Sequence, residues 1–227
     1  MRQVFLQSPW IYHKEPQEIV EVFFRYGVFE RLKKNTPLKN GGSAGRFYYL
    51  KKGLATFTSQ DRSGRSFSFC LVIPGRVLAD IDGISRENVN VVDKVIRPSE
   101  LLSIDYDTWY KHIGSDADKL LMVTRGLIAK HESHMEAMIA NYTLPIEDRL
   151  KVFIKTMLKS YEMPLAEWNW LPLYLSEEEY AGLLGASRVS ISRQFIKWRD
   201  MGLLRKEKRE IVLHRAVFDD VYDWTDA

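Results

Sequence analysis

The sequence predicts an α+β fold, with its strands gathered in the first half and its helices in the second. Three observations carry that prediction. From about residue 36 to 107, β-branched and aromatic runs alternate with glycine-containing turns at short spacing. From 115 to 142 the chain switches to helical chemistry, with no proline and a single glycine, Gly126. Beyond Pro145, apolar residues again recur at helical spacing and lead into a basic C-terminal stretch.

The elements follow in order. Residues 16–32 place apolar side chains at Ile19, Val20, Val22, Phe23 and Phe24, the pattern of a short opening helix. "GRFYYLKKGLATFTSQ", "SFSFCLVIPG" and "VNVVDKVIRPSELLSI" read as strands. They are separated by turn chemistry at Asn40-Gly41-Gly42, Lys52-Gly53, Asp61-Arg62-Ser63-Gly64, Pro74-Gly75 and Asp82-Gly83. No helix long enough for a βαβ crossover interrupts them, so a small antiparallel barrel or roll is expected. In the stretch 115–142, Leu121, Ile128, Met135 and Tyr142 recur every seven residues, with Thr124, His131 and Met138 in the complementary positions. That seam predicts a dimer interface through Leu121, Ile128, Met135 and Met138. A second apolar flank, Leu120, Val123, Leu127 and Ile139, is left to pack on the barrel. Pro145 breaks the helix, and "IEDRLKVFIKTMLKSYE" begins another amphipathic one. The expected organisation is residues 1–114 as a β-roll domain, 115–143 as the long helix and hinge, and 144–227 as a compact helical domain.

Composition narrows the class. The chain has 227 residues, 45% apolar and 28% charged, which is ordinary for a globular protein with a sizeable core. No apolar run approaches the roughly 20 residues of a membrane span, and the N-terminus lacks the apolar region of a signal peptide. A cytoplasmic protein without membrane contact is expected. The lone Cys70 excludes an intrachain disulfide framework and a four-cysteine cluster. It sits in an alternating run, as a buried strand cysteine would. Net charge is only +3, but between Arg188 and Arg215 Lys and Arg clearly outnumber Asp and Glu. A basic surplus confined to one segment is the footprint of a nucleic-acid binder.

"LLGASRVSISRQFIKW" lies in that segment. Ser176 and Glu179 form a capping box opening one short helix, Gly185 ends it, and Ser187 caps the next. Helix, short glycine turn and longer helix make a helix-turn-helix. At about 100° per residue, Ile191, Phe195 and Trp198 share a packing face, while Arg188, Val189, Ser192, Arg193 and Ile196 lie roughly opposite. Forked arginines reach guanine edges, and short serines let a helix sit deep in a major groove. The candidate DNA-binding residues are Ser187, Arg188, Val189, Ser190, Ser192 and Arg193. "LLRKEKREIVLHR" reads as a β-hairpin wing with a basic tip.

These residues resemble the bacterial Crp/Fnr-type transcription regulators over nearly the whole chain. In the S-R-E-T-V-x-R pattern of that family, Ser187, Arg188, Ser190, Ile191 and Arg193 match or are conservative, while Val189 replaces Glu. The resemblance implies an effector-binding jelly roll, a dimerisation helix and a winged helix-turn-helix. It implies a homodimer on an inverted repeat of double-stranded DNA, working with RNA polymerase. It also points to a small-molecule effector site at Leu78, Asp80, Val89, Asn90, Arg125, His134 and Met135. Cyclic-nucleotide members carry Gly-Glu and Arg-Ser pairs where this chain has Ala79-Asp80 and Val89-Asn90. Without the arginine the strongest phosphate partner is lost, so an effector other than cyclic AMP is expected. No iron–sulfur cluster is expected either, because the N-terminal cysteines are absent. Two alternatives remain. One is a constitutive regulator whose roll takes no ligand. The other is a β-roll enzyme with a metal on His131, His134 and Glu136, for which no further ligand or cleft can be named. No catalytic or metal residue is assigned.

Overall fold

The structure, a computed structural model, describes residues 4–38, 45–60, 66–85, 91–207, 210–219 and 221. The turns expected at Asn40-Gly41-Gly42 and at Asp61–Gly64 lie outside the described residues. The chain forms two compact units. One is Tyr12–His131; the other begins at Glu132 and takes in the described residues up to Ile11.

The first unit opens with α1 (Gln17–Tyr26), which buries Ile19, Val20, Val22 and Phe23. The helix stops earlier than the apolar pattern from 16 to 32 implies, because Val28–Leu32 is strand β1. The segment instead pairs antiparallel with β7 (Ser99–Asp105), from Val28 opposite Ser103 to Leu32 opposite Ser99. A ladder partner far along the chain is invisible to a local helical pattern. The other strands are β2 (Arg46–Lys52), β3 (Ala55–Gln60), β4 (Ser66–Val72), β5 (Arg76–Leu78) and β6 (Val91–Val95). They form two antiparallel sheets, ordered β1-β7-β2-β5 and β4-β3-β6. The core cluster draws Tyr48, Leu50 and Leu101 from the first sheet and Ala55, Cys70, Val72 and Val95 from the second. Burial pushes the Cys70 thiol up to about 12, so it stays protonated at neutral pH. The turn before β3 needs Gly53: its φ is +106°, and a Cβ there would lie 2.2 Å from Ser99 Oγ.

A short helix, α2 (Asp80–Ser85), follows β5. After β7 come α3 (Tyr106–Trp109), a π-helical turn at Tyr110–Gly114, and the 27-residue α4 (Ala117–Thr143). Phe47 stacks on Trp109 at 5.0 Å between ring centres, in a second cluster that includes Ile19, Phe23, Val77 and Leu102. Helix α4 belongs to the first unit up to His131 and to the second from Glu132.

In the second unit α5 (Ile146–Ser160) packs among α6 (Glu177–Leu183), α7 (Arg188–Asp200) and a small sheet ordered β8 (Trp168–Trp170), β10 (Glu210–His214), β9 (Leu204–Glu207). Strand β8 is an addition that the sequence pattern, with only three residues to offer, does not announce. The N-terminal residues join this unit directly. Trp10 is fully buried with its ring edge-on to Phe153 at 5.9 Å. Ser133 Oγ donates to the Ser8 carbonyl at 2.7 Å. The Glu136 carboxylate accepts from the N–H groups of Val4, at 2.7 Å, and Phe5.

Candidate nucleic-acid interface

Helix α6 starts where the capping box places it: Glu179 N–H donates to Ser176 Oγ at 3.2 Å, and Ser176 N–H to Glu179 Oε2 at 2.8 Å. Gly185 turns the chain at φ +58°, a conformation that strains residues with a Cβ. Two side chains from outside the motif hold this turn. Arg149 Nη1 donates to the Leu184 carbonyl at 2.9 Å, and Asn141 Nδ2 to that of Leu183 at 3.3 Å. Ser187 then caps α7 through Ser190 N–H at 3.0 Å, and its hydroxyl also meets Ser190 Oγ at 2.9 Å. Ser187 and Ser190 are thereby occupied with the helix terminus itself.

The inner face of α7 is an aromatic and aliphatic seat. Ile191 and Trp198 are buried, and Phe195 sits between Tyr180, at 5.4 Å and edge-on, and Trp198, at 6.0 Å. Tyr180 is in turn edge-on to Phe153. Gln194 is also buried, a polar member of this face that the helical wheel did not single out.

The outer face carries Arg188, Val189, Arg193 and Ile196, all exposed, with Ser192 half-buried among them. Val189 is 57% exposed, too much for a packing residue. Beside this face runs a groove of about 540 Å³ bordered by Glu177, Arg188, Ser192, Ile196, Arg199 and Lys206. Sequence reasoning missed Arg199 and Lys206 as parts of the site. They reach the groove from the end of α7 and from β9, and only the folded hairpin brings the latter alongside. It also missed Glu177, whose Oε2 lies 3.4 Å from Arg188 Nε. That exposed pair is weak and leaves Arg188 free to exchange partners. The β9/β10 hairpin forms as expected; its tip residues Lys208 and Arg209 lie outside the described residues. On β9, Arg205 stacks 3.7 Å over the Trp168 ring.

The expected effector residues are dispersed in character. Leu78 is buried. Asp80 is buried and ion-paired with Lys130 at 2.5 Å, a partner the sequence reading did not propose. Val89 and Asn90 lie outside the described residues. Arg125 is exposed; in the other unit His134 is half-buried and Met135 exposed. Of the expected seam, Leu121, Ile128 and Met138 are 48%, 54% and 52% exposed, and Met135 is also exposed. His131 is exposed, while Glu136 spends its carboxylate on Val4 and Phe5.

Residues 154–216 match the family model of the Crp-like helix-turn-helix domain. A global nitrogen regulator of Nostoc sp. (strain PCC 7120) is 24% identical over 195 residues, covering 84% of this chain and 85% of that one. Among solved structures, FixK2 from Bradyrhizobium japonicum superposes with a TM-score of 0.74 at 16% identity, over 86% of this chain and 97% of its own. A CRP-family transcriptional regulator from Thermus thermophilus gives 0.66 at 16% identity, over 86% and 100%. Among the described residues, no helix is long and apolar enough to cross a membrane.

Proposed function

We propose that the chain is a DNA-binding transcription regulator of the Crp/Fnr type, a reading supported by the match of residues 154–216 to the Crp-like helix-turn-helix domain and by the likeness to a global nitrogen regulator, and that it acts in the cytoplasm as a homodimer, joined along α4, that reads an inverted repeat through paired α7 helices. The observation that carries this reading is the division of α7. Ile191, Phe195 and Trp198 fasten one face to an aromatic core, while Arg188, Val189, Arg193 and Ile196 stand out on the other, away from that core. Such a helix can enter a major groove about 12 Å wide, with arginine forks on guanine O6 and N7 and Arg199 and Lys206 beside the phosphates. The seam supports the dimer: Leu121, Ile128 and Met135, spaced seven residues apart, and Met138 in the complementary position are apolar side chains left in solvent by one chain. Two recognition helices related by a two-fold axis fit half-sites about 34 Å apart. RNA polymerase is the expected further partner.

For the roll, the first reading is gating by a small molecule other than cyclic AMP. Bound against Leu78, Asp80 and Arg125, it would shift the population between two dimer geometries. A specific observation favours the second reading, constitutive binding. Asp80 already has an internal cation, and the space bordered by Tyr12, Leu78, Asp80 and Asp93 amounts to about 10 Å³, scarcely room for one water. A thermal-shift screen across cyclic nucleotides, haem, aromatic acids and fatty acids separates the two, since a ligand of the native state raises apparent stability.

Selection of random duplexes by the full chain tests the DNA reading and should return an inverted repeat. On that sequence Arg193→Ala should cost about 1–3 kcal/mol and flatten the preference at one base pair. Equal losses on selected and random DNA would move Arg193 to a phosphate.

A further inference from the structure

Among the described residues, Lys130 is the one lysine whose side chain the first unit takes wholly inside, at 1% exposure. Its Nζ lies 2.9 Å from Glu15 Oε1, 2.5 Å from Asp80 Oδ2 and 3.0 Å from the Val77 carbonyl oxygen. An ammonium has three N–H donors, and three acceptors receive them. The Tyr12 ring stands 5.3 Å from the same nitrogen and offers its face to the charge. The two carboxylates come from the segment before α1 and from the start of α2, the carbonyl from β5 and the lysine from α4. Four separate pieces of chain therefore converge on one cation.

Such a cluster needs a reason beyond stability, because buried ion pairs are often no better than apolar packing of the same volume. Its position supplies one. Lys130 is two residues past Ile128, about 200° around the helix, so it points away from the exposed seam that begins at Leu121 and Ile128. A contact that holds the inner face of α4 sets which face is turned out.

We propose that these groups form a primary-ammonium site in the roll which the chain fills with its own Lys130, an internal ligand that fixes the rotation of the first half of α4. The proposal rests on the reading of α4 as the dimer seam and deepens the constitutive alternative: the roll is self-liganded. The chemical class the site takes is a short primary alkylammonium.

The test uses the full chain and its selected DNA. Lys130→Ala removes three methylenes and the ammonium, which are the atoms of propylammonium. The variant should bind the operator at least tenfold more weakly than the native chain and melt at a lower temperature. Millimolar propylammonium chloride should raise both values toward native. Propanol, which lacks the charge, and tetramethylammonium, which lacks the N–H donors, should do neither, and the native chain should ignore all three. A folded variant that binds the operator like the native chain, or that does not respond to propylammonium, overturns the proposal. Should Lys130→Ala lack a cooperative transition with and without the amine, Asp80→Asn keeps the shape and removes one charge. It should then weaken operator binding severalfold, and native affinity in that variant overturns the proposal equally. If the native chain selects no DNA, it is the regulator reading that fails; the rise in melting temperature of Lys130→Ala with propylammonium still decides the cage.

Discussion

Val189 shows how one side chain can carry specificity by what it lacks. It stands on the exposed face of α7 between the candidate base-reading arginines and has no hydrogen-bonding group beyond its backbone. A glutamate in its place would accept from a cytosine amine, whereas valine can only touch a thymine methyl. Selected sites should therefore tolerate any base, or prefer T, at that pair; a strict C there would remove Val189 from the groove. Asp93 makes a different residue-scale prediction. It is buried, accepts from Ala79 N–H at 2.8 Å, and burial pushes its carboxyl up to about 7. The folded value thus exceeds the unfolded one, near 3.9. The corresponding stability is complete below about pH 4 and is lost as the pH rises through 7. Asp93→Asn should flatten the fall in melting temperature between pH 4 and 8 and overtake the native chain at pH 8. An unchanged slope in the variant would assign that fall to other groups.

At the scale of elements, α4 and α7 are amphipathic in different senses. The inner face of α7 is aromatic and its outer face mixed, so its periodicity shows in the sequence and the structure places the same residues inside. Helix α4 has a line of exposed apolar residues, Leu121, Ile128, Met135 and Met138, and a buried charge at Lys130, an inversion of the usual order. The exposed line was legible because heptad spacing is local. Lys130 was not, since a lysine in a helix normally faces water and its two carboxylates lie 50 and 115 residues away in the chain. The double substitution Leu121→Asp and Ile128→Asp should give monomers by sedimentation, with operator binding strongly weakened. A dimer that survives both changes places the seam elsewhere.

At the scale of the molecule, the compact units cut across the order of the chain. The hydropathy segments group residues 1–114 as one domain, yet the described residues up to Ile11 fold with those after Glu132. Trp10 is the anchor of that return, fully buried against Phe153. Trp10→Ala should destabilise the helix-turn-helix unit by about 3–5 kcal/mol, the usual cost of removing a large buried aromatic. Hydrogen exchange should quicken in α5–α7 while the β2, β3 and β7 amides keep their protection. Faster exchange confined to the roll strands would place the anchor there instead.

Local periodicity, capping and turn chemistry were legible in the amino-acid order. They encode the run of short strands, the long helix after residue 115, the capping box at Ser176, the glycine turn at Gly185 and the division of α7 into a packed and an exposed face. Each depends on residues a few positions apart, whose geometry is set by the element they form. Tertiary structure settled that the end of the 16–32 stretch is strand β1, that Lys206 joins the α7 groove, that Trp10 belongs to the helix-turn-helix unit, and that Lys130 meets Glu15 and Asp80. These are pairings between distant segments. A ladder partner, a buried counter-charge and a ring-to-ring contact are selected by what the folded chain brings within a few ångströms, and no local pattern in the sequence carries that distance.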